Sequence, residues 1–62
     1  MNTVITNSEG QVVRWYSGGL MHGGVLEIGE TATEYNDKGL STGSIYKYRE
    51  YNPFTVSYIY TP

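Results

Sequence analysis

Few side chains in this 62-residue sequence could do chemistry: one histidine, six acidic residues and no cysteine. His22 has no second titratable group placed to share acid–base work with it, and no nucleophile is spaced beside a base. Without cysteine there is no disulfide and no thiolate for zinc, and one histidine falls short of the ligand sets that zinc prefers. The sequence therefore predicts a protein that is not an enzyme and holds no metal or cofactor.

Two other patterns are typical of binding sites but lack the required spacing. The carboxylates of Glu27, Glu30, Glu34 and Asp37 do not match a calcium loop, and we expect a solvated acidic edge that discourages aggregation. Two glycine pairs within residues 17–24 are not followed by the Lys-Ser/Thr step of a phosphate-binding loop. We expect His22, which lies among these glycines, to be exposed and inert.

The same glycine-rich stretch carries Leu20 and Met21. One interpretation is a loop that inserts these two side chains into a partner. The other, which we favour, is a wide turn in which they fold back onto the core.

Tyrosine is the most informative residue type, because five of the seven tyrosines and the only phenylalanine lie in residues 44–62. Aromatic and β-branched residues alternate there with polar ones, and this period of two predicts strands with two different faces. Tyrosine can be half-buried while its hydroxyl stays in water, as protein interfaces require. The predicted protein-interface residues are Trp15, Tyr46, Tyr48, Phe54, Tyr58 and Tyr60.

Charge and hydropathy limit the classes of partner that we expect for this chain. Four basic and six acidic residues give a net charge of −2, so nucleic-acid binding is not expected, and Lys47 and Arg49 are interpreted as a solvated strand face. The first residues lack the pattern of a signal peptide, and no apolar run approaches the ~18 residues of a membrane span. We expect no membrane partner and synthesis in a cytoplasm, which also suits a protein that is later built into a virion.

Size favours association. A chain this short buries only about 60% of the surface that it exposes when unfolded, and it has five Val, four Ile, three Leu and one Phe for a core. With no disulfide or metal to add stability, we expect a homo-oligomer or a subunit of a larger protein assembly.

The expected fold is all-β: one domain over residues 1–62, an antiparallel meander or a small barrel- or sandwich-like sheet of four to five strands, completed by oligomerisation. Residues 7–10 predict a turn closed by a glycine in the left-handed region, and residues 36–39 predict a second turn. Large side chains on both faces of the second strand predict cover on both sides of it, one cover from another chain. The predicted strands are residues 4–6, 11–17, 25–28, 44–51 and 54–61, with a further extended segment at 31–35.

The register of the last two strands depends on the loop at Asn52 and Pro53. A two-residue loop would pair Arg49 with Val56 and Lys47 with Tyr58, which mixes charges into the aromatic face. A slip of one residue moves every side chain to the other face. We therefore predict the shifted register, which pairs Tyr46 and Tyr48 with the aromatic positions of the last strand.

Residues 4–14 form a strand, an Asn-Ser-Glu-Gly turn and a second strand ending in Arg14, and this stretch resembles the hairpin that opens many small bacteriophage tail-associated domains. Gly29-Glu30 is similar to a step that follows in those chains, and residues 35–39 resemble the tyrosine–aspartate repeats of large β-solenoid toxins. The bacteriophage resemblance agrees with the small core, the high glycine content and the near-neutral charge, which favour a virion protein: a capsid-decorating, tail or connector subunit. The alternatives are a small inhibitor or adaptor that binds a host protein, and a carbohydrate-binding β module.

Overall fold

Five antiparallel strands form a single open sheet in the computed structural model, which describes residues 1–21, 24–51 and 55–62. No helix occurs in these ranges, and so none that could cross a membrane. The expectation of an all-β fold with antiparallel strands is confirmed. Across the sheet the order is β2-β1-β3-β4-β5, so β3 pairs with β1 and not with its predecessor. The strands are β1 (Asn2–Thr6), β2 (Val12–Ser17), β3 (Thr31–Tyr35), β4 (Ser41–Arg49) and β5 (Val56–Thr61).

The turns at 7–10 and 36–39 are confirmed, and both are held by an asparagine side chain. Asn7 Oδ1 accepts hydrogen bonds from the backbone N–H of residues 9 and 11, at 2.9 and 3.0 Å. Asn36 Oδ1 accepts from residues 38 and 40, also at 2.9 and 3.0 Å. Gly10 and Gly39 end the turns with φ of 82° and 78°, a conformation that glycine adopts without the steric cost of a Cβ.

The two hairpins are structural copies of each other. In the first, Ile5 pairs with Arg14 and a bulge follows before Thr6 pairs with Val12. In the second, every paired position lies 29 residues later, and the bulge falls at the corresponding place between Glu34 and Tyr35. The described sheet is therefore one hairpin used twice, with β5 added at the side of the second copy.

The connection from β2 to β3 crosses one face of the sheet. Since β1 lies between these two strands and is antiparallel to both, β2 and β3 run parallel, and such strands need a crossover of about a dozen residues. We call the described part of this connection, residues 18–21 and 24–30, the crossover. The strand predicted at 25–28 is wrong: this stretch contains turns, and Leu26 points down into the core while Ile28 stays 41% exposed.

The core lies between the crossover and the sheet. Ile5, Ala32 and Ile45 are neighbours in one row across β1, β3 and β4, and Leu26 of the crossover packs on them, each at most 4% exposed. Thr3, also on this face, is fully buried and donates its hydroxyl to Gly18 O at 2.9 Å. The small core that the composition predicts is thus formed by one sheet face and one irregular segment.

The predicted register shift between the last two strands is wrong. Arg49 pairs with Val56 and Lys47 with Tyr58, and the ladder continues without irregularity to Ser44 and Thr61. That prediction assumes that charged side chains do not share a sheet face with tyrosines. In the structure they do share one, because Lys47 Nζ lies 5.9 Å from the centre of the Tyr58 ring, within reach of a cation–π contact.

Candidate functional site: the open sheet face

Side chains on alternate strand positions divide the sheet into two unlike faces. The face under the crossover, which we call the covered face, contains Ile5, Ala32, Ile45 and the other buried strand residues. No strand residue of the opposite side is buried. We call that side the open face; its members are Asn2, Val4, Thr6, Trp15, Ser17, Thr31, Thr33, Tyr35, Ser44, Tyr46, Tyr48, Ser57, Ile59 and Thr61.

The open face carries no charged residue on any of the five strands. The four charged strand residues Arg14, Glu34, Lys47 and Arg49 all lie on the covered face. At the border of the open face, Glu50 accepts a hydrogen bond from the Ser57 hydroxyl at 2.7 Å. The strand side chains of this face are thus hydroxyl, amide, aromatic and aliphatic groups, and the face shares with the central part of protein interfaces its lack of charge.

Large aromatic and aliphatic side chains lie on the open face toward both edges of the sheet. Trp15, on the edge strand β2, is 66% exposed, and Ile59 on the opposite edge strand is 49% exposed. Between them on β4, the Tyr46 and Tyr48 rings stack with centroids 5.9 Å apart and planes 9° from parallel. This stack fixes the ring orientations, and ordered aromatic rings provide contact area at low entropic cost.

Thr33 marks the centre of the open face. It lies on β3, the middle strand, in a row that runs through Trp15, Val4, Thr33, Ser44 and Thr61. With strands ~4.8 Å apart and about five residues of ~3.4 Å along each, the face spans on the order of 400 Å² in projection. Val4, Trp15, Tyr35, Tyr46, Tyr48 and Ile59 provide the apolar and aromatic part of this area, and Asn, Ser and Thr side chains provide the rest.

The covered face holds its charges by pairing them with the crossover. Arg14 contacts the Glu30 carboxylate through both terminal nitrogens and donates to Val25 O at 2.8 Å. Glu30 is 9% exposed and also accepts the Glu27 backbone N–H at 2.8 Å. The Arg14 hydrogen bond is the largest cause that lowers the pKa of Glu30 below its ordinary value, and it outweighs the opposing effect of burial. The prediction of a solvated acidic edge is therefore wrong for Glu30.

Two further polar contacts attach the crossover to the sheet. Lys47 donates its ammonium to Leu26 O at 2.9 Å, so this side chain is a structural contact and not the purely solvated group that was predicted. Glu34 accepts from the Thr42 hydroxyl at 2.6 Å and from the Leu20 backbone N–H at 2.9 Å. These bonds, that of Thr42 first, lower the pKa of Glu34.

The predicted interface residues divide between the two faces. Trp15, Tyr46 and Tyr48 lie on the open face, whereas Tyr58 and Tyr60 lie on the covered face of β5, beyond the core, at 38% and 57% exposure. Phe54 falls outside the described residues, as does His22. The prediction that the tyrosines of the last two strands share one face is wrong, because the unshifted register places those of β4 and those of β5 on opposite sides of the sheet.

Two further predictions concern side chains that fold onto the core: those of the glycine-rich stretch and those of strand β2. Leu20 packs against the core, as the favoured interpretation has it, while Met21 is 55% exposed. Strand β2 was expected to be covered on both sides. Within this chain Tyr16 packs on the core, but Val12 and Trp15 stay 62% and 66% exposed, so the second cover is not supplied by the described residues.

The sequence did not identify Val4, Thr33 and Ile59 as members of one sheet face together with Trp15. A signal existed in the alternation of Thr31, Thr33 and Tyr35, which predicts a strand with one hydroxyl-bearing face. What the sequence does not show is that β1 lies beside β3, which joins these residues to Trp15.

The described residues contain no cluster of three or more His, Asp or Glu side chains placed to hold a metal ion. No protein-family model, curated protein or solved structure matches this chain. The open face itself is thus the basis for a functional assignment.

Proposed function

We propose that this chain is a non-enzymatic structural protein that acts as a subunit of a larger protein assembly, with the open face as its contact surface. The observation that carries the proposal is the uncharged composition of a face five strands wide whose Trp15 is two-thirds exposed. Desolvating the strand side chains of such a face costs less than desolvating a charged surface, because none of them is an ion and the Glu50 carboxylate lies only at the border. Every strand charge lies on the other side, where Arg14 and Lys47 hold the crossover.

A bacteriophage virion is the assembly that the resemblance of the opening hairpin favours. In that setting the chain is made in the host cytoplasm and then incorporated as a decorating, tail or connector subunit. An exposed uncharged face suits such a subunit, because most of its surface is expected to be buried against neighbours in the finished particle.

The test places one charge at the centre of the open face. Thr33→Lys should abolish incorporation of the chain into its native assembly, because a lysine buried in an interface without a partner is strongly unfavourable. Ser8→Lys, in the exposed first turn, adds the same charge far from the face and should leave incorporation unchanged. The measurement is the native mass of the tagged chain from its source cells, with circular dichroism to confirm that both variants fold.

Full incorporation of the Thr33→Lys variant would contradict the proposal. So would equal loss in the two variants, since it would show that added charge and not its position decides the outcome.

A further inference from the structure

The two edges of the sheet are protected to different degrees. β2 contains a bulge opposite Thr6 and carries Arg14, and bulges and charges are features by which edge strands avoid pairing with other chains. β5 has neither: its pairing with β4 is regular from Val56 to Thr61, and its sequence, Val-Ser-Tyr-Ile-Tyr-Thr, contains no charge and no proline. Among the strands β5 contacts only β4. One edge of this sheet is therefore suited to accept another strand.

The backbone groups that β5 directs outward follow from its pairing with β4. Glu50 N–H donates to Thr55 O at 3.0 Å, so this pair is of the hydrogen-bonded type. Because the two pair types alternate in an antiparallel ladder, Ser57 and Ile59 also direct their N–H and C=O groups toward β4. Val56, Tyr58 and Tyr60 then direct theirs away from the sheet. These three residues lie at every second position, as a pairing strand requires.

We propose that two copies of this chain pair through β5, antiparallel about a two-fold axis at Tyr58, to form a continuous ten-stranded sheet. In this register Tyr58 faces Tyr58 of the second copy, and Val56 faces Tyr60 on each side. All three pairs are of the hydrogen-bonded type and supply about six interchain bonds. The contact is isologous and uses both β5 edges, so it closes at the dimer.

The charges near the axis permit this pairing. The nearest strand charge in the row of Tyr58 is Lys47 on β4, and two such lysines would lie three strand spacings apart, roughly 14 Å. That separation exceeds the ~8 to 10 Å screening length at physiological salt. Each lysine also sits against its own Tyr58 ring. The alternative of β5 on β2 would place the added strand against the bulge and would form open chains instead of a closed pair.

The pairing also extends the open face. On that side Ile59 would lie beside Ser57 of the second copy, so the Tyr46–Tyr48 stacks of the two chains would flank a shared centre. The projected face doubles to on the order of 800 Å², which is what each partner contributes to a standard protein interface. The dimer itself does not depend on what the open face contacts.

Sedimentation equilibrium of the purified chain tests the pairing. We expect a dimer of twice the 7.0 kDa chain mass. Tyr58→Pro removes an outward N–H while leaving the β4 ladder intact, and edge strands tolerate proline at such positions. Losing the two bonds across the axis should raise the dissociation constant roughly 30-fold. Far-UV circular dichroism confirms that the variant keeps the sheet.

A charge exchange gives a second, independent arm. Tyr58→Lys and Tyr58→Glu should each be monomeric, since each places like charges opposite each other, and an equimolar mixture should form the heterodimer. Tyr60→Lys is the matched control, because its partner across the axis is Val56 and the effect should be smaller. A wild-type chain that stays monomeric at about 1 mM, or grows beyond the dimer, overturns the proposal. A dimer whose dissociation constant is unchanged by the Tyr58 substitutions also overturns it. If Thr33→Lys then disrupts that dimer, the two copies contact each other through the open face.

Discussion

The two faces of this sheet have the same backbone but opposite roles. The covered face buries Ile5, Ala32 and Ile45 under the crossover and pairs its charges with crossover atoms. The open face has no buried residue and no charge on its strands. A small protein would ordinarily place its charges on the solvent side of a sheet and keep the other side apolar. Here the charges lie on the side that forms the core, and this arrangement supports the contact role that we propose for the open face.

The covered face shows what the charges do. The crossover is irregular, with turns where the sequence suggests a strand, and its backbone carbonyls need donors. Arg14 and Lys47 supply them, at Val25 O and Leu26 O. The charged side chains on the covered face therefore attach the crossover to the sheet. The open face has no such layer to hold, so the absence of charge there is not a requirement of the fold.

The largest effect that separates the faces should come from truncating one apolar side chain on each. Leu26→Ala should lower the free energy of unfolding by about 2 to 5 kcal/mol, because it leaves a cavity in a core of four residues. Trp15→Ala removes a larger side chain but should cost under about 1 kcal/mol, since only its contacts with neighbouring strands are lost. Urea denaturation measures both. Equal losses would show that Trp15 belongs to the folding core and that the open face is not free.

A smaller effect should appear at acid pH through Glu30 on the covered face. The lowered pKa of Glu30 means that its carboxylate is favoured in the folded state, so its contribution is present above the unfolded pKa and is lost as the pH falls through the folded one. The urea midpoint should therefore decrease below about pH 4, and Glu30→Gln should flatten this dependence while lowering the midpoint at pH 7. Glu9→Gln, in the exposed first turn, is the control. An unchanged acid profile in Glu30→Gln would show that the contact with Arg14 does not stabilise the crossover.

The turns and most strands could be predicted from the sequence because their determinants are local. An asparagine three residues before a glycine defines both hairpin turns, and alternation defines β2, β4 and β5. The crossover could not be recognised, since Val25, Leu26 and Ile28 have strand-like side chains and only the position of β1 between β2 and β3 forces this segment out of the sheet.

Which residues share the open face could be predicted only in part, for a related reason. Trp15, Tyr46 and Tyr48 are predicted interface residues because of their type, but the face to which each tyrosine belongs depends on register, and register depends on the loop. The assumption that charges and tyrosines avoid each other failed at Lys47, because a cation against the Tyr58 ring is a favourable contact. The structural similarity of the two hairpins also could not be predicted from the strand sequences, since matching positions such as Trp15 and Ser44 share no side-chain chemistry.

Trp15 provides the most direct measurement of the central claim, because it is the only tryptophan and lies on the open face. Acrylamide quenching of its fluorescence should be efficient in the isolated folded chain, as a side chain that is 66% exposed requires. In the native assembly the quenching constant should fall severalfold and the emission should shift to shorter wavelength, because a partner then covers the indole. Quenching that is as efficient in the assembly as in the isolated chain would contradict the assignment of the open face as the contact surface.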